Sequence, residues 1–134
     1  MRTRRLAIGL LFGGLLAVAI AGPAFAHHAW TGYDMSNLTT VKATFVKMDF
    51  VNPHVWMSFD VKDDKGNIVH WACETISPGK LARGTGWSRD VLKPGDQVTI
   101  VLSPAKAGTP VGGLRKIIFA DGHELSPNET APTY

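Results

Sequence analysis

From Thr39 onward the apolar side chains fall on every second position, and near Phe45–Val46 that alternation changes phase. In Val41-Lys-Ala-Thr-Phe45 the apolar residues occupy one face of an extended chain; in Val46-Lys-Met-Asp-Phe50 they occupy the other. Successive side chains of a strand point to opposite faces, so a one-residue slip inside a strand signals a β-bulge. A bulge bends its strand, and bent strands are what close a small barrel.

The same period continues downstream. Val55, Met57, Phe59 and Val61 share one face, while Trp56, Ser58 and Asp60 share the other. Asp63-Asp-Lys-Gly-Asn67 has turn chemistry, and Ile68–Glu74 returns as the partner strand of a hairpin. Ser77-Pro78, followed by Leu81 and Gly84, describes one or two turns of helix, with Ser at the cap and Pro in the first turn. Lys93-Pro-Gly-Asp96 fits a type II turn. Gln97–Leu102 and Leu114–Ala120 read as two more strands, and Ser103–Gly113 between them reads as a Gly/Pro-rich loop. Asp121-Gly122 is a turn before a short His123–Leu125 segment.

Three strands, a short helix and two strands is the element order of the oligonucleotide/oligosaccharide-binding barrel. The expectation is therefore an all-β chain: a five-stranded OB-like barrel with one short helix between strands three and four. A β-sandwich would need about seven strands, which are hard to find here. The expected organisation is a signal peptide over 1–26, a single barrel domain over 27–125 and a flexible C-terminal tail over 126–134.

The leader reading rests on three parts. Met1-Arg-Thr-Arg-Arg5 is basic, Leu6–Ala21 carries no charge, and Ala24-Phe25-Ala26 follows the helix breakers Gly22 and Pro23. This is the pattern of a cleavable secretory signal, with cleavage expected between Ala26 and His27 and export to the periplasm by general secretion. An uncleaved anchor is the alternative; the small-x-small site argues against it. The formal net charge of +3 belongs to that leader: without Arg2, Arg4 and Arg5, eleven basic residues face eleven acidic ones. A neutral exported domain offers no basic groove for nucleic acid, and after signal cleavage no membrane partner is expected. The lone Cys73 cannot form an internal disulfide, and its strand-like setting suggests a buried small hydrophobe.

No nucleophile elbow, phosphate loop or paired catalytic carboxylates appear. The histidines stand out, since all five lie beyond the leader and His27-His28 would begin the processed chain. A free α-amine and an imidazole, titrating near 8 and 6.5, can chelate one metal ion once it competes with protons. Nitrogen ligands suit Cu(II), Ni(II) or Zn(II), and divalent affinity peaks at copper. His54, at the start of a strand behind Asn52-Pro53, is a candidate third ligand. His70 is expected to be packed in mid-strand and His123 solvated. Met35, Met48 and Met57 could add soft sulfur for Cu(I), although Met48 and Met57 fit core positions better. A second set, Trp30, Tyr33 and Trp56, could stack on sugar rings or grip an extended peptide from one barrel face.

His27-His28-Ala29-Trp30, Tyr33-Asp34 and Phe50-Val-Asn-Pro-His54-Val-Trp56 together resemble a family of small exported bacterial proteins known only as a domain of unknown function. Its usual pattern is Ala-His-His-Ser-Phe near the start and Trp-x-Asn-Pro-His-x-Trp in the first hairpin. Trp71 with Glu74, Leu81 with Arg83-Gly84 and Gly86-Trp87, Leu92-Lys-Pro-Gly-Asp96 and Asp121-Gly122 extend the likeness over nearly all of 26–125. Ala29-Trp30 and Phe50 depart from the pattern without touching a candidate ligand, Thr85 is an extra residue, and Cys73 lies outside the pattern. The resemblance implies extent and compartment, and brings no activity.

The leading functional expectation is a non-catalytic periplasmic protein that captures copper or a similar divalent metal through His27, His28 and His54. The alternative is a metal-free adaptor holding a peptide, glycan or protein partner on a Trp-lined face. An oxidative copper enzyme is a third and lesser reading, because no substrate pocket or general acid can be found in the pattern.

Overall fold

The computed structural model describes residues 30–84 and 86–127. Its elements, in chain order, are β1 (Thr39–Asp49), β2 (Trp56–Lys62), β3 (Ile68–Glu74), α1 (Pro78–Leu81), β4 (Gln97–Pro104), β5 (Val111–Phe119) and β6 (Glu124–Leu125). The sheet order is β3-β2-β1-β4-β5-β6, and a parallel pairing of Ala72–Glu74 with Val111–Gly113 closes the first five strands into a barrel. This is the expected OB-like barrel, with α1 between β3 and β4 and the two-residue β6 added beside β5.

The bulge falls where the phase slips. Phe45 pairs with Phe59 and Lys47 with Ser58, which leaves Val46 without a cross-strand partner and 38% exposed. Bending there lets β1 serve two neighbours: Thr39–Thr44 pairs with β4, and Thr44–Asp49 with β2. The inward residues Phe45, Met57, Phe59, Cys73, Ile100, Leu102, Leu114 and Ile117 form the core, joined by Leu81 of α1 and by Trp87. Each large apolar side chain so buried contributes roughly 1.5–3 kcal/mol. At the type II turn, Asp96 N–H donates to Lys93 O at 3.0 Å, and Gly95 has φ +98°, a conformation that favours glycine. No helix among the described residues is long and apolar enough to cross a membrane.

Three local expectations are corrected. Gly112 and Gly113 belong to β5, not to a loop, because close packing at barrel closure needs their missing side chains; a Cβ on Gly112 would sit 2.7 Å from Leu102 Cδ1 and 2.9 Å from Ser103 O. The loop shrinks accordingly to residues 105–110. His70 is not packed: its side chain is 83% exposed and its Nδ1 lies 2.6 Å from Asp60 Oδ1. With Cys73 facing the core, alternation turns His70 outward. At the C-terminal end, Ser126 O accepts the Trp87 Nε1–H at 3.2 Å and Pro127 is buried, so these two residues are held to the barrel. The expected leader, His27, His28 and the rest of the tail lie outside the described residues.

Candidate functional site

Glu74 ends β3 one position after the core-facing Cys73, so its side chain leaves from the outer face of the barrel. An exposed carboxylate would be the ordinary outcome there. Glu74 is instead only 7% exposed, because residues from 41 positions upstream fold over it. The segment from Trp30 to Asp34 is tied to the β4–β5 connection: Tyr33 bridges to Ala105, Asp34 N–H donates to Pro104 O at 2.8 Å, and Lys106 N–H donates to Gly32 O at 2.9 Å. Trp30 meets the Tyr33 ring edge-on, with centroids 5.8 Å apart. The Tyr33 hydroxyl donates to Glu74 Oε2 at 2.7 Å.

The second Glu74 oxygen takes a histidine. Beyond the Trp56–Glu74 pair the hairpin is prolonged by two backbone bonds, Val55 N–H to Ile76 O at 3.0 Å and Thr75 N–H to Val55 O at 2.9 Å. These hold residue 54 beside β3, two positions before Trp56 and on the same outward face. His54 Nδ1 lies 2.5 Å from Glu74 Oε1, and the cis Asn52–Pro53 peptide bond immediately precedes it. A carboxylate accepts, so Nδ1 is the donor in this pair and Nε2 is the ring nitrogen it leaves to another partner. The His54 side chain is 29% exposed.

Electrostatics keep the tyrosine a donor. Burial, reinforced by the hydrogen bond to Glu74 and by its charge, pushes the Tyr33 phenol well above the usual tyrosine range. Cys73, fully buried on the core side, has its thiol pushed up to about 12 by desolvation, which disfavours the thiolate.

Of the residues singled out from sequence, Tyr33 and His54 meet at one carboxylate, with Trp56 paired across from it and Trp30 on the far side. Trp30 lies against Gly113, which pairs with Glu74 in the closing ladder. Trp30, Gly113, Glu74 and Trp56 therefore form one row across three strands. Tyr33 is buried, and Trp30 and Trp56 are half-buried. Met57 is in the core and Met48 packs against it, whereas Met35 is 45% exposed. His123 stacks on Phe119 at 3.9 Å, far along β5 from Gly113. Among the described residues no three His, Cys, Asp or Glu side chains converge as a metal set; His54 supplies one nitrogen there.

Glu74 and Gly113 were the residues missed from sequence. Glu74 did carry a signal, an acid at an outward strand position one residue from a core position, but nothing local announced its cover.

The fold and this cluster define a small OB-like barrel whose outer face carries a tyrosine–glutamate–histidine relay. The chain matches a family described as a family of unknown function (DUF6152) over residues 15–115, three-quarters of its length, and it belongs to that family. Comparison with curated proteins and with solved structures gives no match.

Proposed function

We propose that this is a non-catalytic periplasmic binding protein that captures copper, or a similar divalent metal, with His54 and the histidines His27 and His28 at its processed N-terminus. One observation carries the reading: Glu74 engages His54 through Nδ1, so Nε2 is the ring nitrogen this carboxylate does not take. A carboxylate behind one imidazole nitrogen is the arrangement that orients a histidine and raises its basicity for a metal on the other. Tyr33, donating to the same carboxylate, braces it further. His28 and His27 precede Trp30 by two and three residues, spans of at most about 7 and 11 Å, and Trp30 borders the same carboxylate through Tyr33 and Gly113. Two imidazoles and an α-amine joining His54 would favour Cu(II) among divalent ions.

The test uses protein recovered after export, with intact mass confirming a start at His27. Cu(II) is titrated against this form and against one bearing an additional N-terminal Gly-Ser. The extension is expected to weaken binding by about tenfold or more, the usual consequence of losing a ligand's proper presentation. Equal affinity, or binding no tighter than free histidine, would sink the reading.

A metal-free adaptor is the second reading, favoured by the half-buried Trp30 and Trp56 on either side of Glu74. Its partner would be an extended peptide, a glycan or a periplasmic protein stacking on those rings. An interaction profile unaltered by Trp56→Ala counts against it.

A further inference from the structure

We infer that the open edge of β3 at Ile68–His70, with the outer-face trough beside it, receives an extended, uncharged peptide segment of another protein as an added strand. None of the residues assigned to the metal lies there, so the inference stands apart from that reading. It begins with backbone parity. The bonds from Asp63 N–H to Asn67 O and from Thr75 N–H to Val55 O keep the β2–β3 register. Odd-numbered positions of β3 therefore bond to β2, and even-numbered ones face away. On that far side Ala72 N–H donates to Pro110 O at 3.1 Å. The β3–β5 ladder covers only Ala72–Glu74 and stops for a chemical reason: Pro110, next in line, has no N–H for the His70 carbonyl. Among the described residues the N–H and C=O groups of Ile68 and His70 on this edge find no backbone partner. Such a row is a template for another strand, and neither a lysine nor a proline guards Ile68-Val69-His70-Trp71.

The trough is the second observation. Lys47, Ser58, Ala72 and Val111 pair in turn across β1, β2, β3 and β5, and the small side chains of Ser58 and Ala72 leave that row low at its centre. Val46, left exposed by the bulge, stands on one side, and Pro110 and Val111 stand on the other. The space between is about 380 Å³, within the range of ligand clefts, about 300–1,000 Å³. Charge selects the occupant. The basic groups on the rim are already held, Lys47 by Asp49 and His70 by Asp60, each at 2.6 Å. A phosphate or an acidic glycan therefore meets no unmatched cation among the residues lining the trough, whereas an uncharged apolar segment meets a matching wall. Strand addition supplies both parts of recognition. Backbone bonds to Ile68 and His70 give affinity, and every second side chain of the guest lies on the outer face, where the trough favours an apolar one.

The test selects random heptapeptides displayed on phage against the exported protein, without metal, and titrates the enriched sequences calorimetrically as capped peptides. The expected result is a set of peptides with apolar residues at alternate positions. Val46→Asp changes an exposed residue that has no cross-strand partner, so the barrel is left intact. It should weaken these peptides about tenfold or more, the loss of one buried valine contact. A second measurement alters nothing in the protein. Methylating one alternate set of peptide nitrogens should weaken binding about tenfold and methylating the other set should cost little, because only one set faces β3. Trp56→Ala should leave the affinity unchanged. No enrichment above unselected phage, equal affinity for Val46→Asp, or equal tolerance of both methylated sets would overturn the inference. So would a loss on Trp56→Ala, which would seat the guest on the Trp30–Trp56 row. Binding of cellohexaose, or a concentration-dependent dimer in ultracentrifugation, that Val46→Asp abolishes would assign the trough to a neutral glycan or to a second copy and would equally overturn it.

Discussion

Raising the pH should lower the stability of the fold through the phenolic proton that Tyr33 keeps. The sign follows from proton counting. An unfolded chain gives up its phenolic proton near pH 10, while the folded chain keeps that of Tyr33, whose phenol is held higher by burial and by Glu74. Above pH 10 the unfolded state therefore binds fewer protons, and stability falls as pH rises; below that range the group contributes no pH dependence. Integrating one proton over this range gives a loss of about 1 kcal/mol between pH 10 and 11. Cys73 adds a loss of the same sign beginning near pH 9, because its thiol is pushed up to about 12 in the fold. Lysines also titrate here, so the informative quantity is a difference between variants. At pH 8, Tyr33→Phe should cost about 1.5–3 kcal/mol, the worth of a buried hydrogen bond to a charged acceptor. Urea denaturation followed by Trp fluorescence should show that deficit shrinking by about 1 kcal/mol from pH 10 to 11. A deficit constant from pH 8 to 11 would refute the claim that the fold holds this phenol protonated.

Further outcomes follow from the same geometry. In Glu74→Gln the amide NH2 can donate to His54 Nδ1 and move the ring proton to Nε2, so Cu(II) affinity is expected to fall by about 10–100-fold; calorimetric titration showing no loss would contradict the role given to the carboxylate. Phe59→Ala, a fully buried truncation opposite the edge of the Phe45 ring, should cost about 3–5 kcal/mol in thermal or urea unfolding. Native Cys73 should resist a thiol reagent at pH 8 and react on unfolding in urea; rapid labelling of folded protein would contradict its burial. Gly112→Ala should lower stability by about 1–3 kcal/mol in urea unfolding through overpacking against Leu102 and Ser103; an unchanged transition would contradict that close approach.

The barrel was legible because its rules are local. Period two marked β1 to β5, the change of phase at Phe45–Val46 marked the bulge, and Lys93-Pro-Gly-Asp96 marked the turn before β4. His70 was misread for want of its phase: Cys73 as a core residue makes every second residue before Glu74 outward, and His70 is one of them. Gly112-Gly113 looked like a loop because glycine is a poor strand former, whereas here it is selected by what approaches it. The site itself was half legible. His54 and Tyr33 were flagged by residue type, but Glu74 binds the two together only because the segment from Trp30 to Asp34 lies against β3 and β5, a contact spanning 41 positions. No periodicity encodes a contact of that range.

The most direct test of the account is the long-range proton–nitrogen NMR spectrum of the His54 ring, taken on exported protein at pH 7.5 without metal and then with Zn(II) as a diamagnetic probe. The account predicts a ring proton on Nδ1 and displacement of the Nε2 resonance as Zn(II) binds. A ring protonated on Nε2, or a His54 signal unmoved at saturating Zn(II), would contradict it.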